Sequence, residues 1–369
     1  MNKFSHLARR CDKLIFASAL ALSLIGLFTQ FAISRTETTF LSGEVLIQSA
    51  ALIIGLAAAA VILMQGYRYF IEPDKLIYIA SIVLLLLVYV PGLGASAGAS
   101  RSWIAIGPAT FQPSEVVKIA FVLLMASHLS RRGGRGEQDH FACGDVVRAS
   151  LYGLPFILLV AKEDFGSGCV FCAIWIFMVF CSGLELKIIG RFALVLTALL
   201  PMIYFFMAGY QKDRIDAFLS PEDLDLPGNY QVWNSKVAIG SAGLFGRGLY
   251  PGTQSRLGFL PVPESDFIFA ATVESLGFVG GAAVIVLFGL LIYRSLKITR
   301  YAKDLQGALT AAGITGMFFF QAFENIAMTM GLMPVTGITL PFMSSGGSAM
   351  VSAWMGVGLL LSVSCRQRL

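Results

Sequence analysis

Residues Phe259–Tyr293 read FLPVPESDFIFAATVESLGFVGGAAVIVLFGLLIY. Pro261 and Pro263 stiffen the first part, which delivers one aspartate, Asp266, to the lip of an apolar run. From Phe267 to about Tyr293 that run is long enough to cross a bilayer as one helix. A carboxylate placed there costs free energy unless it pairs or does chemistry, so Asp266 is the first candidate for an active-site residue.

Similar apolar runs recur along the chain, near 14–34, 44–64, 76–93, 113–129, 149–163, 165–183, 188–209, 307–331 and 346–364. The 369 residues are 56% hydrophobic and 13% charged, with mean hydropathy +0.76. Soluble domains carry about a quarter charged residues. The expected fold is therefore an all-α polytopic membrane protein of about ten transmembrane helices, a single domain over 1–369. Its one large extracytoplasmic loop, about 210–266, precedes the eighth helix and is expected to pack onto the membrane face. A second long connection, from Gly94 to Gln112, is rich in Gly, Ala and Ser and carries Arg101 and Trp103.

Basic residues set the orientation. Arg9, Arg10, Lys13, Arg68, Lys75, Arg131, Arg132, Arg135, Lys187, Arg191, Arg294, Lys297, Arg300, Lys303, Arg366 and Arg368 fall on one side if both termini are cytoplasmic. This pattern accounts for the net charge of +5 and leaves nothing for a nucleic-acid role. Ala32-Ile33-Ser34 has the small-x-small look of a cleavage site. The apolar run before it exceeds a normal signal-peptide core, so it is expected to stay as a first anchor.

None of Cys11, Cys143, Cys169, Cys172, Cys181 and Cys365 falls in the large outer loop, so a disulfide framework is not expected. Cys169 and Cys172 have metal-type spacing but sit in an apolar helix, where packing is the better reading. His6, His128 and His140 are scattered, and no zinc site can be read.

Glu115 and Lys118 lie three apart on one helical face after Pro113-Ser114, either as a neutralised pair or as the lining of a polar cavity. Lys162, Glu163 and Asp164 precede Gly166-Ser167-Gly168, as a wet turn or as a cavity wall. Glu274, on the helix after Asp266, is expected to face inward; Glu324, mid-span beside Asn325, is left open. The outer loop supplies Arg214, Lys236, Arg247 and Arg256, either as scattered solvated charges or as the cations that a polyphosphate leaving group needs. Leu340-Pro341 and Ser344-Ser345-Gly346-Gly347-Ser348 form a broken, Gly-rich approach to the last span, tolerated at membrane depth only where it lines protein or a cavity.

Together these pieces resemble the SEDS family of bacterial cell-wall proteins, the RodA/FtsW group, from about Asp12 to Leu361. Trp103-Ile104 and Phe111-Gln112-Pro113-Ser114-Glu115 with Lys118 match the block before the family's fourth span; Asp164-Phe165-Gly166 matches its Asp-Leu-Gly segment. Ser235-Lys236-Val237-Ala238-Ile239-Gly240-Ser241 and Gly252-Thr253-Gln254-Ser255 are closer to the elongation branch, RodA. Leu260-Pro261 with Asp266-Phe267-Ile268-Phe269 matches the segment bearing the family's essential aspartate, and Met333-Pro334 through Ser348 the block before its last span. Departures surround that segment: Ser102 separates Arg101 from Trp103, Ala105 replaces an acid, Val262 and Glu264 replace Glu and His, and Ser345 replaces Tyr.

The resemblance implies a peptidoglycan glycosyltransferase that polymerises lipid II on the outer face of the bacterial cytoplasmic membrane during elongation. Asp266 would be the base of one inverting displacement. The implied substrate-binding residues are Arg101, Glu115, Lys118, Asp164, Arg214, Lys236, Glu274, Ser344, Gly346 and Gly347. Mg²⁺ or Mn²⁺ would suit the leaving diphosphate, although no ligand set is legible. The implied partners are lipid II, the nascent glycan strand, membrane lipids and a class B penicillin-binding protein, with no nucleic acid. A lipid II flippase or a non-catalytic scaffold activating such a transpeptidase are the alternatives.

Overall fold

The structure is a computed structural model that describes residues 11–34, 42–97, 100–106, 109–131, 143–183, 209–226, 228–249, 253–256, 258–260 and 262–367, with single positions between 187 and 207. In chain order the helices are α1 (Lys13–Ser34), α2 (Gly43–Gln65), α3 (Tyr67–Ile71), α4 (Asp74–Leu86), α5 (Pro113–Ser130), α6 (Cys143–Glu163) and α7 (Phe165–Cys181). After them come α8 (Gly209–Leu219), α9 (Asn229–Ser241), α10 (Thr253–Arg256), α11 (Ile268–Arg300), α12 (Leu305–Thr329) and α13 (Gly347–Gln367).

Local chemistry sets these limits. The Ser42 hydroxyl accepts from the Val45 amide to cap α2, and Gly66, at φ 88°, ends it. Pro113 opens α5, where a missing N–H costs nothing. Asp164 and Asp304 cap α7 and α12 by accepting from the Ser167 and Gly307 amides.

Among the described residues, six helices (α1, α2, α5, α6, α11 and α13) are long and apolar enough to cross a membrane, and α7 is a shorter apolar helix. α5, α12 and α13 form the buried centre; α13 lies along α2, and α12 touches α5, α7 and α11. The other spans turn large apolar side chains outward, such as Ile53, Leu158 and Val286, as lipid-facing surfaces do.

Of four points set against expectation, three differ for physical reasons and one falls outside the described residues. First, the span expected at 76–93 is helical only over Asp74–Leu86 and a 3₁₀ turn at Leu87–Tyr89. The chain then forms three antiparallel strands, β1 (Gly94–Ala97), β2 (Ser100–Ile106) and β3 (Ala109–Phe111), in that order. Small residues that weaken a helix allow this meander, which pairs Gly94 with Ile104 and Ile104 with Phe111. Second, the expected span 188–209 falls almost wholly outside the described residues. Third, Cys11 and Cys365 are joined as a disulfide, with Cα atoms 5.0 Å apart, so one pair links the two ends of the chain where no disulfide framework was expected. Their separation of 354 residues hides the pairing from any spacing argument.

Fourth, α11 is not one helix. Gly277 has φ 73° and ψ −169°, and breaks it in two. The outer-loop turn 243–248 caps both broken ends. Arg247 and Gly248 amides donate to the Glu274 and Ser275 carbonyls (3.1 and 2.8 Å), while Gly243 and Leu244 carbonyls accept from Phe278 and Val279 (2.9 and 3.1 Å). Two carbonyls and two amides freed at the break thus find partners in the turn, which lowers the cost of breaking a helix in the membrane. A Cβ at Gly277 would lie 2.3 Å from the Gly246 nitrogen, and one at Gly246 would lie 2.4 Å from the Gly277 nitrogen. The two glycines permit each other.

On the opposite side of the bundle, Arg294 pairs with the buried Asp12, and Arg68 with Asp304, lacing the basic ends of the spans together. Part of the 210–266 segment contacts the bundle: Ser235 of α9 donates to the Thr329 carbonyl of α12 at 2.8 Å.

Candidate active site

Asp266 sits where the outer loop enters the first half of α11, two residues before the helix begins. Its position is fixed from below. The Asn325 side chain, buried in α12, donates to the Asp266 carbonyl at 2.9 Å and to the Ile338 carbonyl at 2.8 Å. The Ser344 hydroxyl donates to the Ser265 carbonyl at 2.7 Å, and the Ser345 amide to the Glu264 carbonyl at 2.7 Å. Two amides from the first spans hold the other side of that turn: Gln30 donates to the Met343 carbonyl and Gln48 to the Ser344 carbonyl (2.7 and 2.9 Å). Gln48 also accepts from the Gly346 amide at 3.1 Å. The base candidate is therefore bolted to α1, α2 and α12 through backbone groups, and the residue as a whole is half-buried.

Around the carboxylate, Ser265 donates to Oδ1 at 2.7 Å, and a Cβ at Gly337 would lie 3.4 Å from Oδ2. Arg214 of α8 donates to the Thr336 carbonyl at 2.8 Å, one residue from Gly337. The Thr336 hydroxyl in turn binds Glu324, whose second oxygen has no hydrogen-bond partner among the described residues. Burial pushes the Asp266 carboxyl above its ordinary range; the Ser265 hydrogen bond and the Arg214 charge oppose that shift, and Asp164 adds to it. Glu264 is pushed up as well, chiefly by burial.

Asp164 caps α7 through Ser167, accepting from its amide at 3.0 Å and its hydroxyl at 2.7 Å, and also accepts from Gln112 at 3.1 Å. Gly166 brings this cap against Thr336, since a Cβ there would lie 2.8 Å from the Thr336 carbonyl oxygen. On the other side of Asp164, an open cleft of about 330 Å³ is lined by Arg101, Ser102, Tyr89, Ser114 and Glu163. The Arg101 amide donates to Glu163 at 3.1 Å, leaving its side chain exposed. Asp266, Asp164, Arg214 and Ser344 thus come together, with Arg101 at the neighbouring cleft.

The other expected site residues have different settings. Glu115 and Lys118 form a buried ion pair at 2.7 Å, and Glu115 borders a cavity of about 200 Å³ with Gln321, Thr339 and Ser352. Lys236 is exposed and lies over Gly331, so close that a Cβ there would meet its Nζ at 2.5 Å; it places a cation at the C-terminal end of α12. Glu274 is buried and faces inward, as expected. Its carboxylate accepts from the Gln254 and Ser255 amides (3.0 and 3.2 Å) and the Ser255 hydroxyl, which makes it the cap of α10. Gly347 begins α13, and Gly346 serves through its amide on Gln48. Gln30, Gln48, Asn325 and Thr336 have no place among the sequence candidates, although for Gln30, Gln48 and Asn325 an uncharged amide inside an apolar run was the available signal. Among the described residues no three His, Cys, Asp or Glu side chains converge as ligands for a metal ion.

A family profile described as a cell cycle protein, the FtsW/RodA/SpoVE profile, matches residues 11–369. Stage V sporulation protein E of Bacillus subtilis is 36% identical over 312 residues, covering 84% of each chain. Peptidoglycan glycosyltransferase MrdB of Escherichia coli K12 is 36% identical over 293 residues, covering 79% of this chain and 78% of MrdB. Among solved structures, a chain of a peptidoglycan synthase complex that coordinates polymerization and crosslinking superposes with TM-score 0.80 at 28% identity, over 97% of this chain and 98% of that one. The rod shape determining protein RodA of Thermus thermophilus gives 0.69 at 26% identity, over 97% and 98%.

Proposed function

This chain belongs to the FtsW/RodA/SpoVE family of cell cycle proteins, and from that premise we propose that it is a peptidoglycan glycosyltransferase of cell-wall synthesis that extends glycan strands from lipid II. The observation that carries the assignment is Asp266, a half-buried residue whose backbone carbonyl is held by Asn325 at the entry to α11.

The donor is an α-linked lipid diphosphate and the product is β-linked, so one displacement with inversion suffices. Asp266 takes the proton from the acceptor C4 hydroxyl as that oxygen bonds to the donor's anomeric carbon. The bond to the diphosphate oxygen breaks on the opposite face, and the leaving group departs as an anion. Arg214 and Arg101 are the cations placed to meet that charge, Arg214 on the Thr336 carbonyl and Arg101 beside the cleft next to Asp164. A Mg²⁺ or Mn²⁺ ion would be held by one or two carboxylates together with the substrate diphosphate, and no step is assigned to one. Glu274, Asn325, Ser344 and Gln48 act on the reaction by fixing the loop that carries Asp266. Lys118, neutralised by Glu115, holds the bundle's polar interior.

The reaction faces outward, with both termini cytoplasmic in the inner membrane. The partner that cross-links the strands is a class B penicillin-binding protein; the family likeness to a chain from a polymerizing and crosslinking complex supports this. The test is polymerisation of lipid II by the purified protein, with and without that partner. Glycan strands from wild type, and none from Asp266→Ala, are expected. No strands from wild type with the partner present would overturn the proposal.

A further inference from the structure

The outer loop carries an apolar tip that the catalytic proposal does not use. Gly243, Gly246 and Gly248, at φ 64°, 68° and 69°, fold a tight turn whose outermost side chains are Leu244 and Phe245, 64% and 79% exposed. Covering so exposed a Leu-Phe pair with an apolar surface would be favourable.

The backbone pairing at the helix break tells where the tip lies. The Gly243 and Leu244 carbonyls accept from Phe278 and Val279, so the tip is level with the first turn of the second half of α11. From Gly277 to Arg294, at the basic inner end, a helix rises roughly 25 Å at about 1.5 Å per residue. The hydrocarbon layer is about 30 Å thick, so the break falls inside its outer edge rather than in water. Phe278, Ile285, Val286, Tyr293 and Leu296 form the outward-facing apolar stripe of that half-helix. The Gly243 and Leu244 carbonyls bond to Phe278 and Val279, so the exposed Leu244 and Phe245 adjoin the first turn of that half-helix. Arg247, exposed and two residues beyond Phe245, stands where a cation can meet lipid phosphate while the tip is in acyl chains.

We propose that the turn 243–248 is a membrane-dipping anchor, its Leu244–Phe245 tip immersed in the acyl chains of the outer leaflet and Arg247 on the lipid phosphates. The anchor fixes the height of the large loop above the bilayer. Through the pairing of Arg247 and Gly248 with Glu274 and Ser275, it also ties that height to the half-helix that follows Asp266.

The experiment places an environment-sensitive thiol fluorophore on Phe245→Cys in vesicles of phosphatidylglycerol and phosphatidylethanolamine. Wild type taken through the same labelling is the blank for native cysteines, and Asp223→Cys, on an exposed loop position, is the water reference. The proposal expects blue-shifted emission at position 245, several-fold stronger quenching by acyl-chain bromines than at 223, and protection from aqueous iodide. Quenching by iodide but not by brominated lipid would overturn it, because the tip would then be in water. Protection from both would overturn it in favour of a protein surface, such as a partner's transmembrane helix or a second copy of this chain.

Discussion

At the residue scale, Asp266 was legible because a lone carboxylate beside an apolar run has few benign explanations. Its supports were not, because Gln30, Gln48 and Asn325 barely alter the hydropathy of their helices and their partners are backbone carbonyls far along the chain. Charge balance at this site gives a pH prediction. Asp266 must be ionised to act, and burial raises its carboxyl, so the acid limb of kcat/KM is expected above the ordinary carboxylate value of about 4. The Arg214 cation favours the ionised form; Arg214→Gln should therefore move that limb to still higher pH, beyond any change in KM. A limb that stays in place on loss of Arg214 would remove it from the site. Glu274 tests a different role. Glu274→Ala leaves two amides and a hydroxyl without their acceptor, so a loss of about 2–4 kcal/mol of stability is expected in thermal or denaturant unfolding, together with lowered activity. Unchanged stability would mean that α10 does not depend on this cap.

At the element scale, the positions of most spans were readable from apolar length, and the break in α11 was not. Gly277-Phe278-Val279-Gly280-Gly281 scores as more of the same apolar helix, and only the outer-loop turn, which comes earlier in the chain, reveals why the helix can end and restart there. The β-meander over 94–111 was hidden for a related reason: its stability comes from strand pairing and contact with the 3₁₀ turn, not from a strong local β pattern. The glycine pair yields a sharp contrast. Gly246→Ala puts a Cβ within 2.4 Å of backbone atoms at a positive φ, and a destabilisation of more than about 2 kcal/mol is expected. Gly240→Ala, in the exposed part of α9 with nothing within 4 Å of its Cβ, should be neutral or stabilising by up to about 1 kcal/mol. Equal effects in a thermal-unfolding comparison would contradict the capped-break geometry.

At the scale of the whole molecule, composition and the distribution of Lys and Arg led to the membrane class, and short motifs in a fixed order led to the family. The Cys11–Cys365 pairing and the Arg294–Asp12 and Arg68–Asp304 ion pairs are contacts between distant parts of the chain, beyond any local pattern. Orientation has its own check: a fluorescent protein fused after Leu369 should fold and glow, and an alkaline phosphatase fused there should be inactive, if the C-terminus is cytoplasmic. The reverse pair of results would invert the topology and put Asp266 on the wrong face. The most direct test of the central claim measures Asp266→Asn for two quantities at once, lipid II binding and glycan strand formation. The account predicts binding within a few-fold of wild type and strand formation reduced by at least about 10²-fold, as expected for loss of a general base. Strand formation at the wild-type rate would contradict it.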